Sequence, residues 1–278
     1  MNFTLRTSRI WNPCGPFMAF LTHRSLTFEL AKRDVAGRYR GASFGLLWSV
    51  ISPFLMLCVY TFAFGYIMKG RWPEQTGGAH TGFALILFIG LIVHGFFAEC
   101  LTRSATLVVS NTNFVKRVIF PLEILPWPMI ISALFHAFMN ILVYVILTLV
   151  VGSIIPLTIF ILPIVLIPLV ILSAGISWIF AALGVYFRDL SQVTGVLATA
   201  LLFTSSAMIP VATLPPKFRR MFELNPLTFI IDQAREVALW GRMPNWQGLL
   251  IYAIGALVFT YAGYAWFVAT KKGFADVL

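Results

Sequence analysis

Charge is scarce in this sequence: Asp, Glu, Lys and Arg make up 11% of its 278 residues, against about 25% in an ordinary soluble domain. Hydrophobic residues reach 59%, and the mean hydropathy is +0.89. A large soluble core does not account for that deficit; long apolar runs that cross a membrane do. Cysteine is also rare. Cys14, Cys58 and Cys100 show no CxxC spacing, which points away from a disulfide framework or a metal site. The four histidines, His23, His80, His94 and His136, have no ligand spacing either. Two of them, His94 and His136, fall inside apolar runs, where a polar contact within a helix bundle is expected. No glycine is followed by lysine, so there is no GxxxxGK[ST] phosphate loop to hold ATP. Any ATP and Mg that drive this protein would bind to another polypeptide.

Acids are half as numerous as bases, 10 against 20. None of the ten lies in the middle of an apolar run, which argues against a proton relay or an ion-coupled carrier. No catalytic constellation appears. Glu99 sits near the end of a run, and Arg103 at i+4 is its expected partner. The net charge of +10 does not imply nucleic acid. The cations are spread between apolar segments, as orienting charges are.

What is present reads as an all-α integral membrane protein. If each span and its connection take roughly 35 to 45 residues, about six fit. The predicted spans cover residues 46–68, 83–101, 127–151, 156–185, 190–209 and 248–269. Pro53 interrupts the first, and Pro163 and Pro168 lie inside the fourth. Residues 1–45 form a cytoplasmic N-terminal part, and 46–278 the transmembrane domain. The extreme N-terminus has no apolar core before Pro13 and Pro16, so the first span is expected to act as its own insertion signal.

From Phe17 to Ala36 apolar residues recur at three-, four- and seven-residue steps, with Glu29, Lys32 and Arg33 on another side. That pattern predicts an amphipathic interfacial helix, broken by Gly37 and Gly41. A short interfacial helix is expected in Asn111–Pro126. Between the fifth and sixth spans, Pro215–Leu224 and Pro226–Leu239 read as two short re-entrant or periplasmic helices hinged at Asn225-Pro226. Of the 20 Lys and Arg, thirteen lie on the cytoplasmic side if both termini are inside, and seven outside. The positive-inside rule therefore places both termini in the cytoplasm.

Aromatic residues number 26 Phe, 8 Trp and 8 Tyr. Most read as lipid-facing packing and interfacial belts, to which Trp72, Trp127, Trp240 and Trp246 are suited. Trp48, Tyr60 and Phe203 are candidates for a lining along which sugar rings slide.

Four blocks carry a resemblance. AKRDVAGRYRGASFGLLWSVISPFLMLCVYTFAFG (Ala31–Gly65) resembles the start of ABC-2 type permeases that export polysaccharides, including O-antigen and teichoic-acid exporters. It offers Arg33-Asp34, Arg38-Tyr39, Phe44-Gly45 in place of the usual Leu-Gly, Trp48 and Pro53. FVKRVIFPLEILP (Phe114–Pro126), YFRDL (Tyr186–Leu190) and LNPLTFIIDQAREVALWG (Leu224–Gly241) are similar to further blocks in the same order. Where many relatives end the fifth span with Ser-Pro, this chain has Ser206-Ala-Met-Ile-Pro210.

The resemblance implies a six-span homodimer in the bacterial inner membrane, working with a separate ABC ATPase subunit. Glu29, Arg33, Lys116, Arg117 and Glu123 would face that subunit. Arg38 and Arg40, beside Gly45, would hold the pyrophosphate of a polyprenyl-linked glycan, since guanidinium groups bind phosphate bidentately; plain positive-inside anchoring explains either arginine equally well. Asn225, Pro226 and Arg235 would form a periplasmic gate. Two other readings stay open: an ABC-2 exporter of a drug or small lipid, and an integral-membrane glycan or acyl transferase.

Overall fold

The computed structural model describes residues 15–63, 80–115, 120–150, 152 and 154–278. Among them every regular element is helical. In chain order these are α1 (Gly15–Thr22), α2 (Arg24–Arg38), α3 (Trp48–Tyr60), α4 (His80–Ser104), α5 (Thr112–Val115), α6 (Pro126–Val150), α7 (Leu162–Tyr186), α8 (Leu190–Phe203), α9 (Pro216–Leu224), α10 (Pro226–Arg235), α11 (Trp246–Thr270) and α12 (Phe274–Val277). Single turns of tighter or looser helix join several of them.

Among the described residues, five helical stretches are long and apolar enough to cross a membrane: Gly45–Ala63, Gly82–Ser104, Leu122–Val150, Leu157–Tyr186 and Trp246–Gly273. The fifth predicted span differs. Its helix, α8, stops at Phe203 rather than Ile209 and has 14 residues. At 1.5 Å per residue it is about 21 Å long, short of the roughly 30 Å hydrocarbon core. The cause is local competition for backbone groups. Thr204 Oγ1 bonds back to the Ala200 carbonyl, and the Ala207 amide is taken by Ser205 Oγ. Ser206 Oγ and its amide turn instead to Thr228 on α10.

The N-terminal part also departs from a single Phe17–Ala36 helix. It is two helices that meet at His23, and α2 runs straight through Gly37 to Arg38. The turn comes at Gly41, whose φ of 83° lies in the left-handed region that glycine enters freely. Of the predicted apolar stripe, Ala31 is buried, while Leu21 and Phe28 stand exposed. Pro53 sits inside α3 as expected. The end of the first span and the loop after it fall outside the described residues. Asn225 is the cap between the two short helices: its side-chain oxygen accepts from the Leu227 amide, with Pro226 in the first turn. α10 is shorter than read from sequence and passes into a π-helical turn, Glu236–Trp240.

The core centres on α4, which is enclosed by α6, α7, α8 and α10. α7 and α11 share the most extensive helix–helix contact. A Cβ built on Gly263 would lie 2.4 Å from the Gly175 carbonyl oxygen, so only glycine allows the two backbones to meet there. Thr260 Oγ1 closes the seam by donating to the Ile171 carbonyl at 2.5 Å. α3, by contrast, packs few of its residues: Phe54, Leu55, Met56 and Val59 are all exposed.

Candidate functional site: a charged clasp between three helices

Five polar side chains from three helices converge where α2 crosses α4 and α6. Asp34 and Arg38 are one helical turn apart on α2 and therefore share a face. Glu99 and Arg103 repeat that spacing near the end of α4, and His136 comes from α6. Arg103 Nη2 donates to both Asp34 oxygens at 2.8 and 2.6 Å. Its Nη1 reaches Glu99 Oε1 at 2.9 Å. Arg38 Nη2 donates to the same Glu99 oxygen at 2.7 Å, and His136 Nδ1 lies 3.0 Å from Oε2. The Arg38 Nη1 also stands 3.1 Å from His136 Nδ1.

Partner chemistry decides the histidine tautomer. Arg38 is a donor only, so Nδ1 either accepts from Arg38 or donates to Glu99. The other ring nitrogen, Nε2, is buried with no partner among the described residues. A buried N–H without a partner costs more than an idle lone pair next to apolar groups. The proton therefore belongs on Nδ1, directed at Glu99. Glu99 then receives three donors, and two of them, Arg38 and Arg103, carry the charge that balances it. Tyr39, just beyond α2, packs edge-on to the His136 ring at 6.0 Å. Burial pushes its phenol pKa up, more than Arg38 pulls it down, so Tyr39 is neutral at physiological pH.

Beside the clasp lies a cavity of about 480 Å³, walled by α2, the 106–114 segment and the start of α6. Arg33, Asp34, Arg38 and Arg103 contribute its charge. Arg33 is exposed and forms no ion pair among the described residues. The opposite wall is mixed, with Leu107, Phe114 and Met129 beside Thr106, Ser110 and Asn111.

Of the residues singled out from sequence, Arg38 and Arg33 meet at this cavity. Glu29 and Arg40 are exposed nearby, on and just after α2. Gly45 has a φ of 48° and opens the turn into α3. Trp48 stacks edge-on against Phe44 at 5.8 Å. Tyr60 is half-buried against Phe83, Ile86 and Leu87, and Phe203 is exposed at the end of α8. Lys116 and Arg117 lie outside the described residues. Glu123 is engaged within the chain: its carboxylate pairs with Lys271, and its carbonyl accepts from Trp178 Nε1 at 3.0 Å. His94 makes a contact of the expected kind, with Nε2 2.9 Å from the Ala198 carbonyl oxygen.

Arg235 is far from the clasp and only 2% exposed. It donates to the carbonyls of Ile86, Ser206 and Ala207 at 3.1, 2.7 and 2.9 Å. Its guanidinium thus joins α4, the chain after α8 and α10. Glu99, Asp34 and His136 were not singled out as site residues by sequence reasoning. The i,i+4 pair of Glu99 with Arg103 is present, but it is one arm of a larger network. Two signals were available: His136 inside an apolar run, and Asp34 at i−4 from Arg38. Among the described residues no group of three or more His, Cys, Asp or Glu is placed to hold a metal ion.

These features define a polytopic helical membrane protein in which the N-terminal helix α2 is clamped to two long apolar helices by ion pairs. The model of the ABC-2 type transporter family matches residues 25–239, and the chain belongs to that family. It is 24% identical to the O-antigen export system permease protein RfbA of Myxococcus xanthus, over 91% of this chain and 95% of the relative. With the protein of the same name from Klebsiella pneumoniae the identity is 28% over the same shares. The polysialic acid transport protein KpsM of Escherichia coli is 28% identical over 84% of this chain and 88% of its own length.

Proposed function

We propose that the chain is the membrane-spanning permease of an ATP-driven exporter that moves a lipid-linked polysaccharide across the bacterial inner membrane. In this reading it works as a homodimer with a separate ATPase subunit, which binds the ATP and Mg. The observation that carries the reading is the near end-to-end similarity to permeases named for O-antigen export. The missing phosphate loop supports the division of labour.

The geometry suits such a role. α8 is taken as the fifth of six crossings, made short by the break that Arg235 holds, with both termini cytoplasmic. Arg38 and Arg40, next to the Gly45 turn, receive the ligand's pyrophosphate at headgroup level. Trp48, Tyr60 and Phe203 line the path of the glycan. The two short helices, hinged at Asn225 and Pro226 and tied by Arg235, frame the exit. Glu29, Arg33, Lys116 and Arg117 present polar groups to the ATPase, while Glu123, paired with Lys271, braces the segment behind them. The clasp then transmits ATPase movement: α2 is fastened to α4 and α6 by charged hydrogen bonds, so a push on α2 reaches both spans.

The test is reconstitution. Chain and ATPase together in vesicles should move a polyprenyl-pyrophosphate-linked glycan into the lumen when ATP is added. If the chain alone moves it at the same rate, the two-subunit reading fails. If a drug but no glycan moves, the substrate class is wrong.

A further inference from the structure

Arg38 is the residue offered to the ligand's phosphate, yet in this structure it is already occupied by a carboxylate. We propose that Glu99 is a resident competitor for that phosphate: it holds Arg38 while the site is empty and yields it when an anionic headgroup arrives. The inference rests on the headgroup role given to Arg38 above.

The clasp is arranged so that one arm can open without stranding a charge. Glu99 has three partners, and they differ in freedom. The Arg38 side chain is 41% exposed, Arg103 27% and His136 13%. Arg103 is also pinned by both oxygens of Asp34. His136 is fixed on α6, with its Nδ1 directed at Glu99. Arg38 has no second carboxylate among the described residues. Its other close neighbour is the His136 Nδ1 at 3.1 Å, a donor facing a donor, which pushes the guanidinium outward. If Arg38 swings away, Glu99 keeps Arg103 at 2.9 Å and His136 at 3.0 Å, so its charge stays compensated. The same exchange would be costly for Arg103, whose departure would leave Asp34 without the cation that holds it.

A phosphate has what the carboxylate lacks: more acceptor oxygens, and a site at headgroup level rather than under the helix. A pyrophosphate that bridged Arg38 and Arg40 would replace the Arg38–Glu99 contact with bidentate pairs. Opening this arm loosens the end of α2 from α4 and α6, while Asp34 still tethers it to Arg103. Ligand arrival is thereby felt in the helix that the reading above turns toward the ATPase.

The experiment measures binding of a polyprenyl pyrophosphate to the full chain in phosphatidylcholine nanodiscs. Glu99→Gln keeps the shape and an acceptor for His136 but removes the charge that competes for Arg38. It should bind the probe about three- to fivefold tighter, the weight of one partly exposed ion pair. Arg38→Gln should bind several-fold more weakly. The double variant should bind like Arg38→Gln alone, because Glu99 acts only through Arg38. Glu99→Asp, which draws the carboxylate back by one methylene, should fall between Glu99→Gln and the parent. It also serves where Glu99→Gln does not fold. Unchanged or weaker binding by a folded Glu99→Gln or Glu99→Asp, with Arg38→Gln still weakened, overturns the competitor role and leaves the headgroup reading standing. Parent-like binding by Arg38→Gln overturns the headgroup reading itself.

Discussion

Replacing Arg235 by alanine removes three hydrogen bonds that hold the end of α8 against α4 and α10. The guanidinium is 2% exposed, and water does not reach the carbonyls of Ile86, Ser206 and Ala207 through it. Each buried acceptor left without a donor costs about 1–3 kcal/mol. Removing the buried charge returns part of its desolvation cost, and Asp232, its neighbour at 3.6 Å, is exposed enough to be solvated. Weighing these, a net loss of about 3 kcal/mol is expected. At roughly 2–4 °C per kcal/mol for a chain of this order of size, the melting temperature should fall by about 6–12 °C. Cys100 is a built-in reporter, since it is fully buried while Cys58 is exposed. In a Cys14→Ser, Cys58→Ser background, a fluorogenic maleimide would react only as the bundle opens. Gly90 supplies a cross-check. A Cβ there would lie 2.7 Å from Arg235 Nη2 and 2.9 Å from the Ala207 backbone, so Gly90→Ala should also lower the transition; the Arg235 part of that cost, though not the Ala207 part, should vanish when Arg235 is already alanine. A shift under 2 °C for Arg235→Ala, or strict additivity of the two changes, refutes the reasoning.

Two further outcomes are expected. Gly263→Ala would place a methyl carbon 2.4 Å from the Gly175 carbonyl oxygen and should separate α7 from α11. A loss of about 1–3 kcal/mol, read in the same maleimide assay, is anticipated, while Gly255→Ala, which meets nothing within 4 Å, should be neutral. Lys271→Glu sets two carboxylates against each other at Glu123 and should destabilise the segment before α6. Adding Glu123→Lys restores opposite charges, and recovery of most of the lost melting temperature would confirm that the pair acts as a pair.

How much of this was legible in the sequence depends on how far each cause reaches. Apolar runs announce membrane helices because the cost of placing residues in lipid is paid residue by residue. The ends of α4, α6 and α11 accordingly lie within three residues of their predicted limits. The Asn225-Pro226 hinge was visible because a cap and a first-turn proline act within two positions. The early end of α8 was not visible. Its backbone groups find partners at Thr228 and Arg235, 22 to 29 residues away. The clasp divides in the same way. Glu99 with Arg103 is an i,i+4 pair and can be read from the chain, whereas Arg38, Asp34 and His136 reach it across 61, 69 and 37 residues. The joint at His23 leaves no mark in the sequence, since the apolar spacing from Phe17 to Val35 runs across it.

The glycine seam between α7 and α11 also bears on how the protein is made. α7 ends at Tyr186 and α11 starts at Trp246, about 60 residues later in the chain. At roughly 5–20 residues per second, a ribosome takes several seconds to cover that distance. During that interval α7 is already synthesised but its closest neighbour does not yet exist, so the notch at Gly175 faces lipid instead of Gly263. Completion of the bundle is therefore a late event set by the arrival of the last long helix. A quality-control protease that reads unfilled helix surfaces would have its widest opportunity in those seconds.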